Sequence, residues 1–327
     1  MKNTGHAVLD ITVGDFEKSG FALGDIFTVK AGTYEGDMPC FNGYYVDPGE
    51  YMIRVSPGKT NVAVCINYGE FAKTASIGIG DPVTLTLKKK AGALAIQEIN
   101  NLVYTNDRVD YASDEIFANF RAIVPGKLYR SASPIDNKNN RAATADLLIR
   151  EVGIKTVMNL ASSEEELAVY LAADDFSSPY YKKLYEEKKV ILLGMPVNFE
   201  SDGFADGIVK GLSFLAEHET PFLVHCTEGK DRAGFASMML EMLAGFSADE
   251  IIADYMLSYT NYYRVEEGTE KYDMIAEKNI KEMMLTVAGL KKGTDLRNID
   301  WKTAGERYLT AHGMSVDAIA MLEAKLK

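Results

Sequence analysis

The chemistry most legible in this sequence rests on one thiol and one guanidinium with five residues between them. The stretch Phe222-Leu223-Val224-His225-Cys226-Thr227-Glu228-Gly229-Lys230-Asp231-Arg232 opens as an apolar, strand-like run and leads into a helix-forming run over residues 233–244. A strand that delivers a cysteine to a loop closing onto a helix N-terminus presents backbone N–H groups to an anion. The same dipole, with cations such as Lys230 and Arg232, favours the thiolate over the thiol. The chemistry this implies is nucleophilic displacement at phosphorus, with Cys226 attacking. The N–H groups of residues 227–232 would cradle the phosphoryl oxygens. Gly229 would let the chain turn tightly, and Arg232 would grip two oxygens as a fork. His225 would orient the loop through hydrogen bonds. The leaving group needs an acid. Asp231 lies inside the loop, and Asp202 and Asp206 lie upstream in Asn198-Phe199-Glu200-Ser201-Asp202-Gly203-Phe204-Ala205-Asp206.

The surrounding elements must hold this loop in place. From residue 120 onward, strand and helix patterns alternate. Leu128-Tyr129-Arg130-Ser131 ends a strand, 141–152 reads as a helix, and 153–160 and 188–193 read as buried strands. Ser163 with Glu164, Glu165 and Glu166 opens a helix, with a cap and acids in its first turn. Residues 204–218 form an amphipathic helix before the strand at 222–225. Helices then dominate, with Ser247 and Glu250 spaced as a capping box and Ser315 as a further cap. The alternation predicts an α/β fold with a mostly parallel sheet flanked by helices.

Residues 1–92 differ in style. Strand-sized runs at 25–30, 43–46, 50–55, 61–66 and 82–88 are separated by turn residues such as Pro57-Gly58, which predicts a small all-β domain, a sandwich or a barrel. No catalytic constellation occurs there. Tyr34, Tyr44, Tyr45 and Tyr51 read as ordinary strand aromatics. Residues 93–118 read as a connector, and 119–327 as the catalytic domain.

Composition narrows the function further. The net charge of −12 argues against general affinity for nucleic acid or anionic membranes. No apolar run approaches the ~18 residues that span a bilayer, so no integral membrane segment is expected. No apolar signal core follows Met1, so the chain reads as soluble, either cytoplasmic or exported with the signal absent from this chain. Three cysteines do not make a disulfide framework, and Cys40 and Cys65 read as core residues. The four histidines are scattered, so neither a metal nor another cofactor is expected.

The Cys226-to-Arg232 spacing resembles the cysteine-dependent protein tyrosine phosphatase family. His225-Cys226-Thr227-Glu228-Gly229-Lys230-Asp231-Arg232-Ala233-Gly234 is similar to its bacterial tyrosine, dual-specificity and lipid phosphatases with Gly-Lys-Asp-Arg in the loop. Asn119-Phe120-Arg121, Gly126-Lys127-Leu128-Tyr129-Arg130-Ser131, Asp254-Tyr255 with Ser258, and Tyr308-Leu309 extend the resemblance along the second half of the chain. It implies a tyrosine-phosphatase-like fold and metal-independent phosphomonoester hydrolysis through a phosphocysteine on Cys226. Arg232 would bind the phosphoryl group, and Asp231 would act as general acid with Asp202 as its rival. His225, Thr227, Glu228, Gly229, Lys230 and Arg130 would surround the substrate. That substrate would be a phosphotyrosine protein or peptide, a phosphoinositide lipid or an inositol polyphosphate. Two positions depart from the family's pattern. Ala233 stands where a hydroxyl residue usually steadies the thiolate, and Ala122 stands where Asp commonly follows Asn-Phe-Arg. Ala233 keeps open an alternative, a phosphate-binding module with weak turnover. A sulfurtransferase-type thiol enzyme is a third reading, against which the loop cations argue.

Overall fold

The structure is a computed structural model that describes residues 5–199 and 201–327, with Asp202 described by its backbone alone. The chain forms two compact units, one ending at Leu102 and the other spanning Val103–Lys327. The stretch 93–118 therefore divides between them.

In the first unit, strands β1 (Ala7–Thr12), β2 (Ile26–Ala31), β3 (Tyr34–Phe41), β4 (Tyr51–Arg54), β5 (Asn61–Ile66) and β6 (Val83–Lys89) form one sheet in the order β1-β5-β4-β3-β2-β6. Short helices at Val13–Lys18, Phe71–Thr74 and Leu94–Ile99 accompany it. Phe16, Phe27, Val29, Met38, Ile53, Val64 and Phe71 form its core. Strand β3 contains Gly36, Asp37 and Pro39, residue types that signal turns, which hides it from sequence reasoning. Conversely, the expected strand over 43–46 is a loop, in which the Tyr45 ring packs on Phe41. Cys40 and Cys65 are free and buried, and burial pushes both thiols up to about 12.

The second unit holds β7 (Arg121–Val124), β8 (Leu128–Ser131), β9 (Thr156–Asn159), β10 (Val190–Leu192) and β11 (Phe222–His225) in the order β10-β9-β11-β8-β7. The first four in that order run parallel, and only β7 pairs antiparallel. All four residues of β11 are buried. Because successive side chains point to opposite faces, both faces of the sheet must be covered. On one face Leu223 joins Ile149, Ile154, Val157 and Tyr181 in a core cluster. Phe222 and Val224 are fully buried on the other. The helix beginning at Glu164 opens with a capping box between Ser163 and Glu166, and the helix Ala248–Tyr263 with one between Ser247 and Glu250. Among the described residues no helix is long and apolar enough to cross a membrane.

Candidate active site

Strand β11 occupies the middle of the second sheet, with His225 in register with Ser131 of β8 and Asn159 of β9. Cys226 follows at the carboxyl ends of the parallel strands. This is the edge at which open α/β sheets place their ligands. The chain then loops through residues 227–230 and enters the helix Asp231–Ala244. Cys226 is 4% exposed, at the bottom of this loop.

The loop's polarity is set by where its carbonyls point. Ser133 N–H donates to the Thr227 carbonyl. The Tyr262 hydroxyl and the Asn119 amide donate to Glu228 O at 2.7 and 3.2 Å. Asn119 and Arg130 donate to Gly229 O at 3.2 and 2.8 Å, and Arg130 also donates to Lys230 O at 2.9 Å. Four successive carbonyls are thus tied outward. Among the described residues, the N–H groups of residues 227–232 donate to no protein acceptor outside regular secondary structure. Buried N–H groups rarely go without a partner. Donors left without a protein acceptor at a helix N-terminus can serve as an oxyanion cradle.

Gly229 makes the turn possible. Its φ is +68°, and a Cβ there would lie 2.1 Å from the Ser131 carbonyl oxygen. Gly234, one turn into the helix, lets the Tyr255 ring pass where a Cβ would approach to 2.6 Å.

The two arginine candidates, Arg232 at the end of the loop and Arg130 in β8, have different surroundings. The Arg232 guanidinium donates to Met195 O at 2.8 Å and to Thr227 Oγ1 at 3.1 Å. Among the described residues these bonds occupy two of its five donors. Arg130 is fully buried beneath the loop. Its Nη1 donates to Asp254 at 2.5 Å, and its Nη2 to the loop carbonyls. It therefore meets the carbonyl side of the loop, not the anion side.

His225 is likewise buried, with Nδ1 3.1 Å from the Cys226 carbonyl and no partner for Nε2 among the described residues. That pattern fits the Nδ1–H tautomer. Burial, aided by the Arg232 charge, lowers its pKa to about 4 against the help of the Cys226 carbonyl.

Lys230 and Asp231 meet at the loop's mouth, with Lys230 Nζ 3.6 Å from Asp231 Oδ2 and 3.6 Å from Glu228 Oε2. The Lys230 ammonium also lies 5.0 and 5.3 Å from the centroids of Tyr259 and Tyr263. Burial works against its charge, but Asp231, the two tyrosines and Glu228 outweigh that and push its pKa up. The Tyr255 hydroxyl donates to Asp231 Oδ1 at 3.3 Å, and the Asp231 side chain is 36% exposed. Asp202 begins the helix Asp202–Glu217, capped by Ser201, and its side chain lies outside the described residues. Asp206 is exposed on that helix. Ala233 is fully buried.

Beneath the loop lies a charge network that spacing alone does not reveal. Arg121 Nε donates to Asp254 Oδ1 at 2.6 Å, and Arg121 Nη2 to the Ser258 hydroxyl at 3.2 Å. Burial works to raise the Asp254 pKa, yet Arg121 and Arg130 together hold it below the usual carboxylate range. Glu241 is buried beside them. Burial, then the Asp254 charge, pushes its pKa well up. The available signal was the pairing of two motifs, Asn119-Phe120-Arg121 and Asp254-Tyr255 with Ser258, each carrying charge in otherwise apolar surroundings. Among the described residues no group of three or more His, Cys, Asp or Glu is placed to hold a metal ion.

With the geometry in view, comparison of sequences decides the family. A model of the tyrosine phosphatase family matches residues 116–327, more than half of the chain. The chain belongs to that family. It is a tyrosine-phosphatase-like hydrolase. No curated protein matches it. Among solved structures, the core catalytic domain of PP-IP phosphatase SIW14 from S. cerevisiae, in complex with citrate, is 20% identical over 52% of this chain and 91% of that chain, with a TM-score of 0.31. P. aeruginosa TpbA is 19% identical over 52% of this chain and 90% of its own, with a TM-score of 0.30. At such TM-scores these likenesses carry no argument about the phosphatase.

Proposed function

We propose that the phosphatase hydrolyses phosphotyrosine-type monoesters through a phosphocysteine on Cys226. The observation that supports this best is the loop whose carbonyls are all bonded outward around a buried thiol. In the first step Cys226 Sγ attacks phosphorus, an S–P bond forms and the P–O bond to the leaving group breaks. Asp231, at the mouth and part exposed, gives that oxygen its proton. In the second step Asp231 takes a proton from water as the water attacks phosphorus. The S–P bond breaks, releasing inorganic phosphate and the thiolate. Charge reorganises on the three equatorial oxygens throughout, and the N–H ring with Arg232 is preorganised to receive it.

The charges at the mouth favour phosphotyrosine over polyphosphorylated inositols and their lipids. The loop itself carries Lys230 and Arg232 against Glu228 and Asp231. Arg130, which would have added a cation, is consumed beneath the loop. A polyanion therefore meets little surplus positive charge, while Tyr259 and Tyr263 flank the mouth with aromatic surface. Ala233 favours a second reading, in which the phosphate is bound and the phosphocysteine turns over slowly. The second unit as a whole is taken as the catalytic domain. The first unit, read as a small β domain, has no assigned step.

Steady-state and burst kinetics on para-nitrophenyl phosphate, with excess chelator, test the mechanism in wild type and Cys226→Ser. Activity that survives in Cys226→Ser, or that chelator abolishes, sinks it. A burst followed by negligible turnover selects the slow module. On substrates, kcat/KM for a phosphotyrosine peptide should exceed that for an inositol polyphosphate at least tenfold, and the reverse order refutes the substrate reading.

A further inference from the structure

The residues that hold the loop are not confined to the part of the chain that matches the family. That match begins at residue 116, and a strap of chain before it lies against the loop. The Tyr104 hydroxyl donates to Glu228 Oε1 at 2.6 Å, across 124 residues of sequence. Glu228 lies two positions after the nucleophile, so its carboxylate sits beside the phosphate cradle. Turned inward, it would repel a phosphate dianion and compete for the same N–H donors. Tyr104 holds one of its oxygens aside, and Lys230 Nζ lies 3.6 Å from the other.

Tyr104 is itself fixed. Its ring stacks on Tyr262 at 4.9 Å between centroids and meets Tyr263 edge-on at 5.5 Å. The buried Arg141 pins the strap's backbone and side chains. It donates to Thr105 O at 3.0 Å, to Asn106 Oδ1 at 2.5 Å and to the Tyr111 hydroxyl at 3.0 Å, with its guanidinium 5.1 Å from the Tyr104 ring. Burial, then the bond to Glu228, pushes the Tyr104 pKa up, so the hydroxyl remains a donor at any working pH. Tyr262, on which Tyr104 stacks, also donates to the Glu228 carbonyl. The strap and the helix Ala248–Tyr263 thus clamp one loop residue at both its main chain and its side chain.

We propose that Tyr104 is a positioning residue for oxyanion binding, acting by holding the Glu228 carboxylate away from the phosphate cradle. This inference rests on the phosphatase reading of the loop. It assigns a part in the site to residues upstream of the family's matched region.

The test is a double-mutant cycle of Tyr104→Phe and Glu228→Gln, read as the inhibition constant of inorganic phosphate alongside kcat and KM. Tyr104→Phe keeps the stacked ring and removes only the O–H. It should weaken phosphate about tenfold and raise KM by a like factor, with kcat within threefold of wild type, the size expected for one lost bond to a charged group. In the Glu228→Gln background, where no charge remains to be held aside, the same substitution should cost less than twofold. Glu228→Gln alone should bind phosphate at least as tightly as wild type. An equal loss in both backgrounds, or phosphate affinity several-fold weaker in Glu228→Gln alone, overturns the proposal. Calorimetric titration of phosphate into Cys226→Ser needs no turnover and separates the two claims. If that protein binds phosphate and Tyr104→Phe leaves binding unchanged, the positioning role fails while the phosphatase reading stands. If it binds none, the phosphatase reading fails and the positioning role with it.

Discussion

Two buried carboxyl groups share the network under the loop, and their removal should have opposite consequences. Asp254 accepts from Arg121 Nε at 2.6 Å and from Arg130 Nη1 at 2.5 Å, and both arginines are withdrawn from solvent. Glu241 lies beside them, with Oε1 lacking a partner among the described residues. Asp254 bonds both guanidinium groups, which hold its pKa down, while burial and the Asp254 charge push that of Glu241 up, so Asp254 is read as the anion of the network. Asp254→Asn leaves two buried cations facing each other. Breaking a buried pair in this way costs about 3–5 kcal/mol. Here the lower end is expected, because Glu241, the second carboxyl group beside the arginines, can take over part of the role. Glu241→Gln keeps the size of the side chain and, with the Glu241 pKa pushed up, should cost within about 1 kcal/mol. Trp301 is the only tryptophan and lies buried in the second unit, so its fluorescence during urea unfolding reports on that unit alone. The loop supplies a second readout. Arg130 donates to two loop carbonyls, so Asp254→Asn should also lower kcat/KM about tenfold or more, whereas Glu241→Gln should leave it within threefold. If Glu241→Gln destabilises the protein as much as Asp254→Asn, the assignment of charge within the network is wrong.

Gly229→Ala should abolish most turnover, at least a hundredfold in kcat/KM, because the new Cβ would lie 2.1 Å from the Ser131 carbonyl at a φ of +68°. Circular dichroism of the variant should show the fold retained. Asp231→Asn should lower kcat by about 10²–10⁴ on a phosphotyrosine peptide, with less loss on aryl phosphates whose leaving groups need no proton. An unchanged kcat on the peptide moves the acid elsewhere, with Asp202 first in line. His225 carries a pH prediction. Its pKa falls from 6.5 to about 4 on folding, so between those values the unfolded chain binds more protons and stability drops as pH falls. The loss amounts to about 3 kcal/mol across that window, with none above it. Urea midpoints at pH 7, 5.5 and 4.5 should therefore converge between wild type and His225→Asn as pH falls, and parallel lines refute the assignment.

The strand, loop and helix around Cys226 were readable because everything they need is consecutive. A strand, a thiol, a glycine and an arginine within a single turn of chain dictate where the N–H groups face, and local sterics alone admit few other shapes. Helix starts at Ser163, Ser247 and Ser315 were readable for the same reason, since a cap and its partner lie three residues apart. Strand β3 was missed because pairing in the sheet overrode residue preference, and the segment over 43–46 was misread because its aromatic residues favour strands while the chain there lies outside the sheet as a loop. The side of the loop that Arg130 meets was not legible either. It ends a strand next to β11, and its direction follows from Asp254 waiting beneath, on a helix 124 residues later. The same holds for Tyr104 and Glu228, for Arg141 and the strap, and for the burial of Glu241 beside the arginines. In each, a side chain's role depends on which distant partner takes up its hydrogen bond or charge after water has been removed. That choice is made by packing, because only a folded interior makes an unpaired donor or charge costly enough to select its partner.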